Sequence, residues 1–162
     1  MTEAYLLLGG NIGNTPNIFE KTVSRIGERI GTIHQKSSVY RSPAWGFECE
    51  NDFYNQVICI ETDCNPDELI GICMQIEAEL GRTREELSAG YTSRIIDIDV
   101  LLYGQSVINT PIITVPHLRM HLRRFTLLPL AEIAGKVTHP HLKKTIDELL
   151  KNCADQSEVF AI

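Results

Sequence analysis

The segment Arg94-Ile95-Ile96-Asp97-Ile98-Asp99-Val100-Leu101-Leu102 sets two carboxylates two residues apart within an otherwise apolar run. A run of branched aliphatic residues of this length is typical of a buried strand. Because side chains alternate along a strand, Asp97 and Asp99 should point to the same side, with Cα atoms about 6.5–7 Å apart. The segment therefore predicts a strand that presents an acidic pair on one face.

The acidic pair indicates a site for a cation. Two anions in a partly dry environment repel each other, so either one carboxyl keeps a proton or a cation joins them. Magnesium suits carboxylate oxygens and completes its shell with waters and substrate phosphates, which indicates phosphate chemistry. The alternative is a solvated edge strand that carries two aspartates without function, and the apolar neighbours on both faces argue against it.

The composition is that of an ordinary globular chain. Its 162 residues fit one domain, residues 1–162, which can bury about two-thirds of its unfolded surface in a single core. Hydrophobic residues make up 43 % and charged residues 22 %, and the net charge of −6 argues against binding to nucleic acid or to acidic membranes. The five cysteines form no Cys-x-x-Cys pair and no signal-like segment begins the chain. We therefore expect reduced thiols and a cytoplasmic location.

Hydrophobic periodicity predicts an alternation of strands and helices. The expected strands are Ala4–Leu8, Thr32–Tyr40, Phe53–Glu61 and the acidic strand. The first helix follows Pro16 and ends at Gly31, and the second is capped by Asn65 and ends at Gly81. The order β-α-β-β-α-β is that of a ferredoxin-like sheet with helices on one face, an α+β fold.

Other segments have weaker signals. The cluster Gly9-Gly10-Asn11 predicts a turn after the first strand. Thr83–Ser93 lacks apolar periodicity and predicts a long mobile loop. Additional C-terminal helices are expected at Thr126–Ala134, interrupted by Pro129, and at Thr145–Asn152.

Basic residues collect near the acidic strand in spite of the net negative charge. They are Arg82, Arg84 and Arg94 before the aspartates and Arg119, Arg123 and Arg124 after them. A lone arginine is usually solvated, but this grouping predicts a phosphate site built locally beside the acidic pair.

Several motifs together cover almost the whole chain. They are Tyr40-Arg41-Ser42-Pro43, Phe53-Tyr54-Asn55-Gln56-Val57, Glu77-x-x-x-Gly81-Arg82-x-Arg84, the acidic segment extended to Tyr103-Gly104, Val107-Ile108-Asn109-Thr110, and Thr114-Val115-Pro116-His117. This set resembles the 6-hydroxymethyl-7,8-dihydropterin pyrophosphokinase family. The resemblance implies magnesium-dependent transfer of pyrophosphate from ATP to the hydroxymethyl group of the pterin, giving the pterin diphosphate and AMP, in folate biosynthesis.

The resemblance also implies roles for individual residues. Asp97 and Asp99 would hold two Mg²⁺, with ATP as co-substrate, and Arg82 and Arg94 would be catalytic. The ATP-binding residues would be Glu77, Arg84, Thr114, His117 and Arg123. The pterin-binding residues would be Ser42, Pro43, Ala44, Trp45, Phe53, Asn55 and Phe125. The implied partners are these two small-molecule substrates, and we expect a monomer that binds neither nucleic acid nor a membrane.

Simpler interpretations of the same residues remain open at this point. Without the resemblance, Phe53 and Phe125 would be core aromatics about half the time, and a strand asparagine such as Asn55 more often lies at a turn or an edge. His117 would more often be a surface histidine, and the segment His139-Pro140-His141 is expected to be a turn without a zinc motif.

Two other functions also remain possible. A nucleotidyltransferase would use a glycine turn and an Asp-x-Asp strand, but in such enzymes both lie in one short unit, whereas here Gly9 and Asp97 are most of a domain apart. A non-catalytic ferredoxin-like module that senses a small ligand is the other possibility, although it would not need an arginine cluster beside an acidic pair.

Overall fold

The computed structural model describes residues 1–42, 52–81 and 95–162 and has a mixed fold of helices and antiparallel sheet. Its strands are β1 (Thr2–Gly10), β2 (Gly31–Lys36), β3 (Tyr40–Ser42), β4 (Phe53–Thr62), β5 (Asp97–Tyr103), β6 (Ile108–Asn109), β7 (Thr114–Val115) and β8 (Phe160–Ala161). Its helices are α1 (Thr15–Arg29), α2 (Pro66–Glu79), α3 (Arg124–Ala134) and α4 (Ile146–Lys151), with a 3₁₀ turn at Met120–Leu122. The predicted loop Thr83–Ser93 lies outside the described residues.

Six strands of the described part form one antiparallel sheet. Strand β4 pairs along one side with β1, and on its other side with β3 near its start and β2 near its end. Strand β5 pairs with β1, and β8 pairs with β3. Strands β6 and β7 form a separate two-stranded ladder.

Helices cover both faces of this sheet and form an apolar core on each. The side chains of β1 alternate between these two cores. Leu6 and Leu8 lie in a core shared with Phe19 of α1 and with the buried stripe of α2. Leu7 lies in the other core, together with Leu130 of α3 and residues of α4. The central strands β1 and β4 are therefore apolar on both faces, which is why their residues form nearly continuous hydrophobic runs, whereas β2 is mostly exposed.

The acidic strand β5 lies at the edge of the sheet. Its apolar residues Ile98, Val100 and Leu101 are nevertheless at most 4 % exposed, because a helical layer covers each face. The apolar sequence pattern indicates that both faces of the strand are buried, but it does not indicate whether a neighbouring strand pairs with each of its two edges. Strand β5 is thus an edge strand whose apolar side chains are shielded from solvent.

The ends of α2 form as the sequence predicts. The Asn65 side chain accepts a hydrogen bond from the Glu68 amide (2.9 Å), and the Glu68 carboxylate accepts one from the Asn65 amide (3.3 Å). This reciprocal capping box satisfies two amide groups that the first turn of a helix leaves unpaired. Gly81 follows the helix with a φ of 107°, a conformation that favours glycine.

The predicted strand Thr32–Tyr40 is wrong as a single element, because its pairing with β4 is interrupted after Lys36. Ser37 donates its amide to the Val57 carbonyl (2.8 Å), and its hydroxyl accepts from the Val57 amide (3.0 Å). A side chain thus takes the place of one backbone partner, and the chain resumes pairing only at Tyr40. Local β-propensity gives no sign of this exchange.

Two further predictions differ from the structure at glycine and proline. The expected turn at Gly9-Gly10-Asn11 is wrong for its two glycines, since β1 continues through them and pairs them with Asn55 and Tyr54. The interruption expected at Pro129 is also wrong, since α3 runs from Arg124 through the proline to Ala134. Proline removes one helical hydrogen bond, and burial of residues on either side of it stabilises the helix regardless.

In the parts of the chain that the structure describes, none of the helices combines the length and the apolar character needed to cross a bilayer.

Candidate active site

The acidic pair projects from β5 toward the face of the sheet that carries α3. Asp97 pairs with Gly9 and Asp99 pairs with Leu7, and Leu7 belongs to the core on that face. Both carboxylates are partly exposed while the residues between and after them are buried. The predicted common orientation of the two side chains is therefore confirmed. The pair stands at the rim of the second core, accessible to a ligand.

His117 lies beside this pair. Its amide donates to the Leu101 carbonyl of β5 (2.9 Å), and its Nε2 is 4.0 Å from Oδ2 of Asp99. Its Nδ1 accepts a hydrogen bond from the Arg119 amide (3.2 Å), so in the neutral ring the proton resides on Nε2. The ring thus presents a donor toward the carboxylates.

The charge state of His117 follows from its surroundings. Burial, followed by the positive charge of Arg123, lowers the pKa of His117 to about 4, against the opposing effect of Asp97. The imidazole is therefore neutral near pH 7, and it can donate a hydrogen bond to a carboxylate or a phosphate without adding charge.

Arg123 and Phe125 flank the first residue of α3. Both side chains are 8 % exposed, and the guanidinium carbon of Arg123 lies 5.5 Å from the centroid of the Phe125 ring. This is a cation–π arrangement. The start of one helix thus brings together a residue predicted to bind ATP and a residue predicted to stack on the pterin.

Asn55 stands in the same row of the sheet as the acidic pair. It pairs with Gly9, which on its other side pairs with Asp97, so that the three residues cross β4, β1 and β5 on one face. The Asn55 side chain is 5 % exposed, and its amide nitrogen donates to the Leu8 carbonyl at 3.4 Å. A Cβ atom at Gly9 would come within 2.9 Å of that nitrogen. Glycine is therefore required for the close approach.

Phe53 and Ser42 pair across β4 and β3. Because alternate residues of a strand share a face, Phe53 projects to the same side as Asn55. Ser42 is 4 % exposed, and Phe53 is partly exposed. Two residues predicted to contact the pterin thus lie directly beside each other, and one of them remains accessible.

Two predicted ATP-binding residues lie on other elements. Glu77 is 4 % exposed on α2. Burial, followed by the negative charges of Glu77 and Asp99, raises the pKa of Cys73 to about 12. Glu77 follows Cys73 by one helical turn among the buried residues of α2, so it lies on the side of the helix that packs against the sheet. Thr114 lies on β7, where its hydroxyl donates to the Asn109 side chain within the hairpin (3.3 Å).

The remaining predicted site residues are not described by the structure. They are Pro43, Ala44, Trp45, Arg82, Arg84 and Arg94. The described residues that flank these segments, Ser42 and Gly81, are the ends of β3 and of the turn after α2. The roles expected for these six residues stay predictions.

Sequence reasoning missed two contributors to the site. Gly9 was expected only to form a turn, although a glycine that ends an apolar strand can also mark a close approach of another group. Arg119 was expected only to supply charge, whereas its backbone amide fixes the tautomer of His117. No sequence signal could have indicated the second contribution.

The model of the 7,8-dihydro-6-hydroxymethylpterin-pyrophosphokinase (HPPK) family matches residues 5–135. Proteins named 2-amino-4-hydroxy-6-hydroxymethyldihydropteridine pyrophosphokinase are similar to this chain. The protein from Aquifex aeolicus is 38% identical over 148 residues, which are 91% of this chain and 90% of that protein. The protein from Bacillus subtilis is 39% identical over 135 residues, which are 83% of this chain and 79% of that protein.

Solved structures share the fold. The crystal structure of Plasmodium falciparum HPPK-DHPS gives a TM-score of 0.70 at 18% sequence identity, and the match covers 93% of this chain and 43% of that chain. This chain therefore spans less than half of that structure. Fold and family match together define an enzyme that transfers pyrophosphate. The chain belongs to the 7,8-dihydro-6-hydroxymethylpterin-pyrophosphokinase family.

Proposed function

We propose that this protein transfers pyrophosphate from ATP to the hydroxymethyl group of 6-hydroxymethyl-7,8-dihydropterin in a magnesium-dependent reaction of folate biosynthesis, giving the pterin diphosphate and AMP. The observation that carries the proposal is the row Asn55, Gly9 and Asp97 across three strands. This row sets a buried amide, suited to reading the edge of a heterocycle, two strands away from an acidic pair. The names of the related proteins support the same substrate.

The cofactor of the proposed reaction would be two magnesium ions. Asp97 and Asp99 would hold them, since they offer carboxylate oxygens on one face and are open to ligand. When bound, the ions supply charge neutralisation on the phosphates and a lower pKa for the attacking alcohol. Neutral His117 suits this environment, because a histidinium would compete with the cations for the same carboxylates.

Positioning and charge neutralisation dominate catalysis of this type, since the protein need form no covalent bond with the phosphate. Arg123, buried beside Phe125, would bind ATP phosphate with its planar fork. Arg84, Glu77, Thr114 and His117 would complete the nucleotide site. Arg82 and Arg94 would stabilise the group in transfer.

The pterin is a flat, polar heterocycle and would lie in a slot between two aromatic rings. Phe53 and Phe125 would stack on its two faces, and Asn55 would pair with its edge as both donor and acceptor. Ser42, with Pro43, Ala44 and Trp45, would line the remaining wall. The burial of Asn55 and Ser42 supports this arrangement, because a dry amide discriminates strongly against ligands that leave it unpaired.

The same proposal includes a finer description of the fold and setting. The strand order β5, β1, β4, β2 supports a ferredoxin-like core, to which the C-terminal helices α3 and α4 are additions. Residues 1–162 would form one pyrophosphokinase domain. The protein would act as a cytoplasmic monomer on its two small-molecule substrates.

Product analysis of the purified chain with ATP, Mg²⁺ and the pterin alcohol tests the function. We expect one AMP for each pterin diphosphate formed. Release of inorganic pyrophosphate instead would identify a nucleotidyltransferase, and ligand binding without turnover would identify a sensor. Either result would contradict the proposal.

The metal role is tested separately with Asp97→Asn. We expect kcat to fall by more than tenfold, about 1.4 kcal/mol or more of barrier, while the folded state persists. The matched control is Asp63→Asn, because Asp63 is an exposed aspartate beyond the far end of β4. Retention of more than about a tenth of wild-type kcat in Asp97→Asn would exclude the metal role.

A further inference from the structure

The C-terminal segment, residues 153–162, lies outside the part of the chain that the family model matches. Cys153 is 6 % exposed in the second core, and Val159 packs against the same core. The segment then reaches the opposite edge of the sheet from β5. Along this path it contacts both elements that supply walls to the predicted pterin slot.

The first contact fixes the start of α3. Oδ2 of Asp155 accepts a hydrogen bond from the Arg124 amide at 3.0 Å, and Arg124 is the first residue of the helix. Arg123 occupies the N-cap position, where an arginine side chain has no acceptor to offer. Asp155 therefore supplies from a distant segment the cap that this helix lacks locally, directly beside Phe125.

The carboxylate of Asp155 is itself held in place. Its Oδ1 accepts hydrogen bonds from both the amide and the hydroxyl of Ser157. Although partial burial opposes ionisation, the bonds from Ser157 and the Arg124 amide lower the pKa of Asp155 below its usual range. The cap is thus an ionised acceptor at neutral pH, which the positive end of a helix favours.

The second contact fixes β3. Phe160 and Ala161 pair with Arg41 and Tyr40, and the Ile162 amide donates to the Val39 carbonyl at 3.0 Å. These hydrogen bonds cover the outer edge of β3, the strand that ends in Ser42.

Arg41 extends this second contact to the start of β4. Its guanidinium carbon lies 4.8 Å above the Phe160 ring, and its Nε is 3.5 Å from Oδ2 of Asp52. The chain of contacts from Phe160 through Arg41 to Asp52 ends one residue before Phe53. Arg41 and Asp52 are thus the residues that directly precede Ser42 and Phe53 in the chain.

We infer that Asp155 and Phe160 are positioning residues for the pterin slot, and that the segment 153–162 sets the spacing between Phe125 and the Ser42–Phe53 pair. The inference rests on the proposed function, because the slot is defined there. The two walls come from elements more than 70 residues apart, Phe53 and Phe125, so only tertiary contacts hold their separation. A gap of about 0.5–1 Å at a stacking surface already loses roughly a quarter to a half of the dispersion attraction.

Calorimetry on the full chain tests the inference. The pterin alcohol is titrated into protein that holds Mg²⁺ and a non-hydrolysable ATP analogue, and the analogue is titrated in a separate experiment. The variants are Phe160→Ala, its conservative partner Phe160→Tyr, Asp155→Ala and Asp155→Asn. The matched control is Glu158→Ala, because Glu158 is an exposed carboxylate in the same segment.

The two contacts of the segment, made by Asp155 and by Phe160, should affect ligand binding differently. Phe160→Ala should raise the Kd for the pterin about two- to fivefold and leave analogue binding unchanged, while Phe160→Tyr behaves as wild type. Asp155→Ala should raise the Kd for the pterin about three- to thirtyfold and also weaken the analogue, since Arg123 shares the first turn of α3. Asp155→Asn should lie between, and Glu158→Ala should change neither Kd.

Several outcomes would overturn the inference. Unchanged pterin affinity in Phe160→Ala, or equal losses for both ligands in that variant, would show that the segment is merely structural and would leave the proposed function intact. If Asp155→Ala fails to fold, Asp155→Asn and Phe160→Ala decide the matter. Absence of pterin binding to the wild type would instead remove the proposed function, and the inference with it.

Discussion

Gly9 determines how closely the Asn55 amide can approach the neighbouring strand. The Asn55 side chain lies over the backbone of β1 and donates to the Leu8 carbonyl. Glycine leaves the space that this side chain occupies, and any Cβ atom would stand within 2.9 Å of its nitrogen. One missing methyl group therefore sets the orientation of the residue expected to read the edge of the pterin.

We predict that Gly9→Ala weakens pterin binding by about tenfold, because the displaced amide leaves one neutral hydrogen bond unmade. Binding of the ATP analogue should stay at the wild-type level, as calorimetry on each ligand can measure. The control is Gly71→Ala, since a Cβ at this position in α2 meets nothing within 4 Å. Pterin affinity unchanged in Gly9→Ala would show that Asn55 does not contact the ligand.

At the scale of single elements, the sequence predicted those features that depend only on residues close together in the chain. The common face of Asp97 and Asp99 follows from strand alternation alone, and the cap at Asn65 follows from residues three apart. The break after Lys36 and the pairing of β8 depend on partners distant in sequence, Val57 and Arg41. No window of the sequence around either element contains that information.

The features of the candidate site likewise fall into those that local sequence predicts and those that depend on distant contacts. Strand alternation predicted the common face of Asp97 and Asp99, whereas the roles of Asn55 and Phe53 come from the family resemblance and stay predictions. The neutral state of His117 could not be predicted, because it follows from burial and from Arg123. The closeness of Arg123 to Phe125 requires the start of α3 two residues earlier than the pattern indicated.

The capping box of α2 leads to a prediction that concerns the stability of the protein and not its ligand binding. Asn65→Ala removes the acceptor for the Glu68 amide and should lower the free energy of unfolding by about 1 kcal/mol. Asn65→Asp retains the acceptor and should stay close to wild type. Because Asn65 follows the end of β4 opposite to Asn55, both Kd values should be unchanged in either variant. Urea unfolding and calorimetry measure the two effects, and a changed pterin Kd would contradict the separation.

The stability of the whole molecule should depend on pH through His139. This side chain is 3 % exposed, and its Nδ1 accepts from the amides of His141 (3.2 Å) and Leu142 (3.0 Å). Burial, followed by the charges of His121 and His141, lowers the pKa of His139 to about 4. The folded state therefore holds the ring neutral at pH values where the unfolded chain takes up a proton.

The direction of the pH effect follows from that difference. The contribution of His139 is fully present above about pH 6.5 and is lost as the pH falls toward 4, with a slope of at most about 1.4 kcal/mol per pH unit. His139→Asn retains an acceptor for both amides and cannot titrate, so its unfolding free energy should fall less between pH 7 and pH 5. Urea titrations at both pH values measure this. Equal losses in the two proteins would contradict the assignment, and His117 should give the variant a residual slope of the same sign.

The row of Asn55, Gly9 and Asp97 has a consequence for which alcohols the enzyme could accept. Two interstrand spacings, about 9.5–10 Å, separate the amide from the carboxylate at the level of the backbone. Backbone hydrogen bonds fix this separation, so no side-chain rearrangement can alter it. An extra methylene between the ring and the hydroxyl would move the oxygen by about 1.5 Å, the length of one carbon–carbon bond. Selectivity for the length of the alcohol arm would therefore depend on strand register together with the lengths of the Asn55 and Asp97 side chains.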